Sequence, residues 1–177
     1  MRVVGGIYKG RTLNEFKGSD IRPTSDMVRE SLFNILREKI QNAYFLDLFC
    51  GSGAVGIEAL SRGATFVQFN DASKKSVELT KLNLEKIKAE RNCAVSLSDA
   101  ITFLKSTDKK FDIIFIDAPY ADQVGQDCIG FCKNALSDGG IIVYENELAF
   151  SGNVIGLKVY DQRKYGRARL TFFRSEE

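Results

Sequence analysis

Residues 44–56 read Tyr44-Phe-Leu-Asp47-Leu-Phe49-Cys-Gly51-Ser52-Gly53-Ala-Val-Gly56, and this stretch decides the fold. Tyr44 to Phe49 is a short apolar run broken by one acid, the composition of a strand buried on both faces. It feeds a G-x-G-x-x-G frame and then a helical stretch from Val55 to Arg62. Glycines permit positive φ and close backbone approach, so a ligand can sit on the turn at the amino end of the following helix. The same glycines would also serve tight strand-to-helix packing.

Outward from this turn the chain keeps alternating. Further strand-like runs are Thr65 to Asn70, Cys93 to Leu97, Phe111 to Asp117 and Gly140 to Tyr144, and helical stretches cover Lys74 to Glu90, Ala100 to Lys105 and Cys128 to Leu136. Alternation of this kind predicts an α/β fold, a doubly wound parallel sheet with helices on both faces and an order beginning 3-2-1-4-5. Leu157 to Tyr160 and Arg169 to Arg174 read as two strands of an antiparallel hairpin closing the sheet edge. Ahead of the first strand, Val28, Leu32, Leu36 and Ile40 recur every four residues, which predicts a helix over Asp26 to Lys39 capped by Thr24 or Ser25. The start, RVVGGIYKGRTL, reads as a glycine-bent strand pair. The expected organisation is one domain over 1–177: a basic amino-terminal hairpin and helix extension over 1–42 and an α/β core over 43–177.

Composition removes several chemistries. The 177 residues contain no histidine, which excludes Ser-His-Asp and Cys-His nucleophilic machinery and imidazole metal ligands. The four cysteines form no CxxC pair; Cys128 and Cys132 share a helix face and read as buried thiols, so no metal is expected. No window approaches the run of about 18 apolar residues that a membrane span needs, and the amino terminus lacks a secretory apolar stretch. A cytoplasmic protein with no membrane partner is expected. Residues 1–42 carry 8 Lys/Arg against 5 Asp/Glu, residues 43–157 carry 11 against 15, and residues 158–177 carry 6 against 3. Basic ends around an acidic middle would attract a polyanion, or would merely be solvated surface.

Acids stand where the strands end. Asp47 would repel a dinucleotide's pyrophosphate, whereas S-adenosylmethionine carries an ammonium and a sulfonium and no phosphate, so the acid favours that cofactor. Asp71 ends the second strand, eighteen residues after Gly53, placed to accept from both ribose hydroxyls or to cap the next helix. After the third strand, Asp99 could accept from an adenine amine and the Ala100 amide donate to a ring nitrogen; Asp99 would equally cap the helix from Ala100. The fourth strand ends in Asp117-Ala118-Pro119-Tyr120, one of the chain's two prolines stiffening the turn. It is either a strand-ending turn with a packed tyrosine or a substrate clamp. Strands one and four meet at the switch point of the sheet, where ligands bind, so the glycine turn and this turn are expected across one crevice.

These residues resemble the ordered motifs of class I S-adenosylmethionine-dependent methyltransferases with a Rossmann-like fold, specifically those that methylate exocyclic amines through an (Asn/Asp)-Pro-Pro-(Tyr/Phe) turn. The likeness spans 43–144, and the terminal hairpin resembles that fold's sixth and seventh strands, implying a seven-stranded sheet of order 3-2-1-4-5-7-6 with an antiparallel last strand. Gly5-Gly6-x-Tyr8-Lys9-Gly10-Arg11 and Arg22-Pro23-Thr24-Ser25-Asp26-x-Val28-Arg29-Glu30-Ser31-Leu32-Phe33 closely resemble the amino-terminal signature of the bacterial RsmD family of 16S ribosomal RNA guanine-N2 methyltransferases. Ala118 departs from that pattern, standing where the family usually has its first proline.

The resemblance implies that Asp47, Phe49, Gly51, Ser52, Gly53, Asp71, Asp99 and Ala100 bind S-adenosylmethionine. Asp117, Ala118, Pro119 and Tyr120 would hold the target base, and Arg2, Tyr8, Lys9, Arg11, Arg22, Thr24 and Arg29 would face RNA. The expected partner is 16S ribosomal RNA or an assembling small subunit, the expected state a monomer. Alternatives are methylation of adenine N6, a nicotinamide-dependent oxidoreductase sharing the glycine frame, and a non-catalytic RNA-binding module.

Overall fold

The computed structural model describes residues 1–17, 24–118 and 122–176. Along the chain run α1 (Asp26–Ile35), β1 (Tyr44–Asp47), α2 (Ala54–Ser61), β2 (Phe66–Asp71), α3 (Lys74–Ile87), β3 (Cys93–Leu97), α4 (Ala100–Ser106), β4 (Phe111–Ile116), α5 (Asp122–Cys132), β5 (Leu136–Asn146), β6 (Leu157–Tyr165) and β7 (Ala168–Ser175). The seven strands form one sheet in the order β3-β2-β1-β4-β5-β7-β6; the first five places follow the strand alternation of the sequence, and the last two the order that the family resemblance implies. β1 pairs in parallel with β2 on one side and β4 on the other. Connections that leave the first strand in opposite directions must place their helices on opposite faces.

Two apolar layers result. Leu32 and Phe33 of α1, Ile57 of α2 and Leu84 and Ile87 of α3 pack with Phe45, Phe69 and Phe115 on one face. Leu104 of α4 and Cys128, Ile129 and Cys132 of α5 pack with Leu46, Ile114 and Ile116 on the other. Because successive strand residues point to opposite faces, both halves of each β1 and β4 pair are buried, which explains runs such as Phe111–Ile116 that do not alternate with polar residues. Every helix between parallel strands runs back from the carboxyl edge of the sheet to its amino edge.

Boundaries differ from the sequence expectation for local reasons. α1 stops at Ile35 instead of Lys39; Leu36 leaves the helix, yet Lys39 and Ile40 both donate to its carbonyl, so Ile40 stays buried. Ser25 is the cap, accepting from Val28 N at 3.2 Å, which frees Thr24 for another role. α3 ends at Ile87 because Lys88 turns left-handed at φ 59°. α5 begins six residues before Cys128, and β5 starts at Leu136, which the sequence reading had made helical. The amino-terminal strand pair reduces to the single bridge Arg2–Thr12 around a turn. That segment is held instead by α2: Val4 N and Gly5 N donate to Glu58, and Tyr8 N donates to Ser61 Oγ. Among the described residues no helix is long and apolar enough to cross a membrane.

Candidate active site

The glycine turn is shaped by what lies beneath it. A Cβ on Gly56 would come within 2.2 Å of the Phe69 ring, and one on Gly53 within 2.9 Å of Thr80, so these glycines let α2 pack on β2 and α3. Gly51 is different. It sits at φ 55°, and among the described residues no atom lies nearer to a Cβ there than Phe16 at 4.0 Å, so none of them fills its outer side. From α3, Thr80 Oγ1 donates to Gly51 O at 3.0 Å and Asn83 Nδ2 donates to Ser52 O at 2.8 Å. These two supports were not anticipated; a polar residue at each turn of an otherwise packed helix face was the available signal.

Asp47 is 2% exposed, and its Oδ2 accepts from Gly56 N at 2.9 Å. Gly53 offers α2 no side-chain cap, so the strand carboxylate satisfies one of the orphan N–H groups of that helix. Burial pushes its pKa up to about 7, offset in part by the Gly56 bond and reinforced by Asp117 and Asp71 nearby. Asp71, ending β2, accepts from Gly51 N at 2.9 Å and from Ser73 N at 2.8 Å, one bond to each oxygen. Each oxygen keeps a second lone pair. The helix cap that the sequence offered as an alternative for Asp71 belongs to Ser73, which accepts from Ser76 N. Asp99 does cap its helix, accepting from Thr102 N at 3.0 Å, which leaves the Ala100 N–H as a first-turn donor without an intrahelical partner. Asn70, fully buried, donates to Leu48 O and Ser98 O and so ties three strand tips together.

The two expected turns meet. Asp47 stands opposite Phe115 in the β1–β4 pairing and Leu48 N donates to Phe115 O at 3.1 Å, so Asp117 lies two residues farther along the neighbouring strand tip. Burial raises the Asp117 pKa to about 6, countered by a hydrogen bond from Thr24. Thr24 Oγ1 is 3.2 Å from Asp117 Oδ2 and also 3.2 Å from Glu145 Oε2. Glu145, on β5, was missed by sequence reasoning; its signal is an acid at a strand end, the pattern of Asp47, Asp71 and Asp117. Ala118 is half-buried and Phe49 packs against the α5 face. Pro119, Tyr120 and Arg22 lie outside the described residues.

The basic residues assigned to RNA divide. Arg29 is 0% exposed, its Nη2 donating to Arg2 O at 2.7 Å and Asp26 Oδ1 at 2.6 Å. With no exposed surface it cannot touch RNA directly, and burial lowers its pKa against the pull of Asp26 and Glu58. Tyr8 is anchored at Ser61 and Arg11 at Ile87 O, the last residues of α2 and α3. Together with Lys9 they occupy the amino edge of the sheet, roughly 12 Å of helix away from the glycine turn. Among the described residues of that set, only Thr24 is hydrogen-bonded to the acids. Among the described residues, Asp47, Asp71 and Asp117 pair with no Lys or Arg, and no group of His, Cys, Asp or Glu is arranged to hold a metal ion.

Comparison with known proteins bears on this geometry. The model of the family described as conserved hypothetical protein 95 matches residues 1–174. The ribosomal RNA small subunit methyltransferase D of Escherichia coli K12 is 39% identical over 84% of this chain and 75% of its own, and that of Haemophilus influenzae 34% identical over 83% and 79%. The chain belongs to this family. It is the RsmD family that the motifs resemble, and membership accounts for the extension as well as the core. A solved structure of yhhF from Escherichia coli superimposes with a TM-score of 0.89 at 29% identity, covering 99% of this chain and 98% of that one.

Proposed function

We propose that the chain transfers a methyl group from S-adenosylmethionine to the exocyclic N2 amine of a guanine in 16S ribosomal RNA, acting in the cytoplasm as a monomer. The observation that carries this is the meeting of the glycine turn and a buried carboxylate turn at adjacent strand tips, in a family whose relatives are named for small-subunit RNA methylation.

The acids and amides present fit the cofactor. Three carboxylates converge without a cation among the described residues, which suits a ligand bearing an ammonium and a sulfonium. The free lone pairs of Asp71 suit ribose hydroxyls, Asp99 and the Ala100 N–H suit an adenine edge, and Asp47, Phe49, Gly51, Ser52 and Gly53 line the side towards the amino-acid end. When bound, S-adenosylmethionine supplies an electrophilic methyl on a good neutral leaving group, so alignment and charge stabilisation are what the protein must add.

Guanine N2 is a weak nucleophile because its lone pair is delocalised into the ring. Asp117 and the Ala118 carbonyl accept the two amine hydrogens, localise that lone pair and stabilise the positive charge growing on nitrogen. A carbonyl serves here whether residue 118 is alanine or proline. Asp117, with its pKa raised to about 6 by burial, is basic enough near neutrality to take the proton released after transfer. Thr24 holds the carboxylate in place. Tyr120 stacks on the base once it is turned out of its helix, a contact worth about 1–3 kcal/mol, with Pro119 stiffening the turn. Tyr8, Lys9 and Arg11 then reach only RNA about a helix length from the glycine turn, Arg2 is held through its carbonyl by Arg29 in the first turn of α1, and Arg22 precedes Thr24.

Labelled methyl transfer to hypomethylated small-subunit RNA or particles, followed by nucleoside mapping, tests the reading. N2-methylguanosine is expected. N6-methyladenosine would favour the adenine alternative, and absence of product would overturn the assignment.

A further inference from the structure

We propose that the β6–β7 turn, carrying Arg163, Lys164, Arg167 and Arg169, is the surface that holds the phosphate backbone of the substrate RNA beside the reactive strand tips. The inference rests on the RNA substrate proposed above.

The reactive end of the sheet is acidic: Asp47, Asp71, Asp99, Asp117 and Glu145 all lie at strand ends along one edge. A polyanion is repelled there unless basic groups flank the acids closely. Of the described residues that the resemblance assigns to RNA, Tyr8, Lys9 and Arg11 sit at the opposite edge and Arg29 is buried, which leaves Arg2, whose carbonyl Arg29 holds, as the single cation of that set nearer the acids. The terminal hairpin brings four more. β7 runs antiparallel beside β5, with Leu170 opposite Glu145 and Arg169 opposite Asn146. β6 returns alongside, with Tyr165 opposite Ala168. The turn between them therefore overhangs the edge that carries Asp117, beginning where β5 ends. At about 3.3 Å per residue, Gly166 projects roughly 10 Å beyond that edge, two strand spacings of about 4.8 Å to the side of β4.

The sequence of this turn is Arg163-Lys164-Tyr165-Gly166-Arg167-Ala168-Arg169, four cations with no acid among them. Arg163, Lys164 and Arg167 are exposed. Arg163 pairs with Asp161 at 2.8 Å, and among the described residues Lys164, Arg167 and Arg169 pair with no acid. Charge that served only to protect an edge strand from pairing would be spread along β6; here it gathers at the end nearest the site, with a tyrosine in its midst, as on nucleic-acid surfaces.

The test compares two triple variants of the full chain on hypomethylated small-subunit RNA. One is Arg163→Gln/Lys164→Gln/Arg167→Gln; the other, Lys105→Gln/Lys109→Gln/Lys110→Gln, removes equal charge from the opposite edge. The hairpin variant is expected to bind RNA at least ten-fold more weakly. Its dependence of log affinity on log salt should be shallower by about 2 to 3, the loss expected for three phosphate contacts, and its KM for RNA raised with cofactor affinity unchanged. The Lys105 set should keep wild-type affinity. Equal RNA affinity in wild type and hairpin variant, or equal losses in both triples, overturns the inference. A wild type that transfers no methyl to any RNA overturns the underlying function instead, a separate readout. Should the triple variant fold poorly, Lys164→Gln and Arg167→Gln singly carry the same reading at about one unit of slope each.

Discussion

The hydroxyl of Thr24 donates towards Asp117 Oδ2 at 3.2 Å while lying equally far from Glu145 Oε2. One hydroxyl hydrogen cannot serve two acceptors at once, so the second carboxyl is satisfied through Thr24 only when it carries a proton and donates in turn. The arrangement makes Thr24 a positioning residue for Asp117. Its bond lowers an Asp117 pKa that burial raises to about 6; removing it raises the pKa further. Thr24→Val is therefore expected to reduce kcat by roughly ten-fold or more and to move the acidic limb of the kcat–pH profile to higher pH, so that activity at pH 6 falls more than activity at pH 8. Thr24→Ser should restore both. A uniform loss across pH would mean that Thr24 acts only in folding the segment before α1.

Asp71 joins the tip of β2 to the glycine turn through Gly51 N at 2.9 Å. Its loss removes a charge-assisted bond that fixes the turn and, in the proposed complex, two acceptors for ribose hydroxyls. Such bonds are worth about 1.5–3 kcal/mol. Asp71→Ala should weaken S-adenosylmethionine binding by ten- to a hundred-fold in calorimetry, with Asp71→Asn intermediate because one oxygen can still accept from Gly51. Unchanged affinity would remove Asp71 from the cofactor site.

Arg29 presents a different kind of test, because Nε and Nη1 are buried without partners among the described residues while Nη2 is bonded twice. Truncation to alanine removes the donor to the half-exposed Asp26 and to the Arg2 carbonyl and opens a cavity, and should cost about 2–5 kcal/mol in denaturant unfolding. Arg29→Met, which fills the space without burying a charge, should cost much less. Neither variant should change the salt slope of RNA binding; a change of about one unit would restore Arg29 as a phosphate contact.

The sheet order was legible because each parallel strand is a dense apolar run ended by an acid or glycine, and because β1 carries a turn found in few other contexts. Candidate site acids were legible for the same reason: Asp47, Asp71 and Asp99 for the cofactor and Asp117 for the target base occupy equivalent places at successive strand ends. Glu145 followed that rule and was still missed, since the tetrapeptide after β4 drew the search to a local motif when the relevant contact comes from Thr24, 93 positions before Asp117 in the chain. Local pattern also misplaced the basic residues. A charge count cannot tell which edge of a sheet a segment reaches. Arg29 falls on the buried stripe of α1 beside Val28 and Leu32, and Tyr8, Lys9 and Arg11 are carried to the amino edge by the anchoring of their backbone to Glu58 and Ser61. Register, not composition, brings Arg169 to the active edge.

Asp47 ties the cofactor site to pH. Its folded pKa is raised from 3.8 to about 7 by burial, and Asp117 and Asp71 push in the same direction. A carboxyl that holds its proton more tightly when folded makes the folded state the greater proton binder between those values, so stability is greatest below about pH 4 for this group and declines as pH rises towards 7. Asp117 adds a decline of the same sign ending near pH 6. The ligand-free protein is therefore expected to lose thermal stability between pH 5 and 7.5, and Asp47→Asn should flatten the upper part of that fall. A bound ammonium or sulfonium reverses the preference by favouring the carboxylate, so S-adenosylmethionine binding should release a proton and tighten as pH rises from 6 to 8. Calorimetry at pH 6.5 in two buffers of different ionisation enthalpy measures the proton directly. Release in the wild type and none in Asp47→Asn is the expected result, and equal values in both would place the cation of the cofactor away from Asp47.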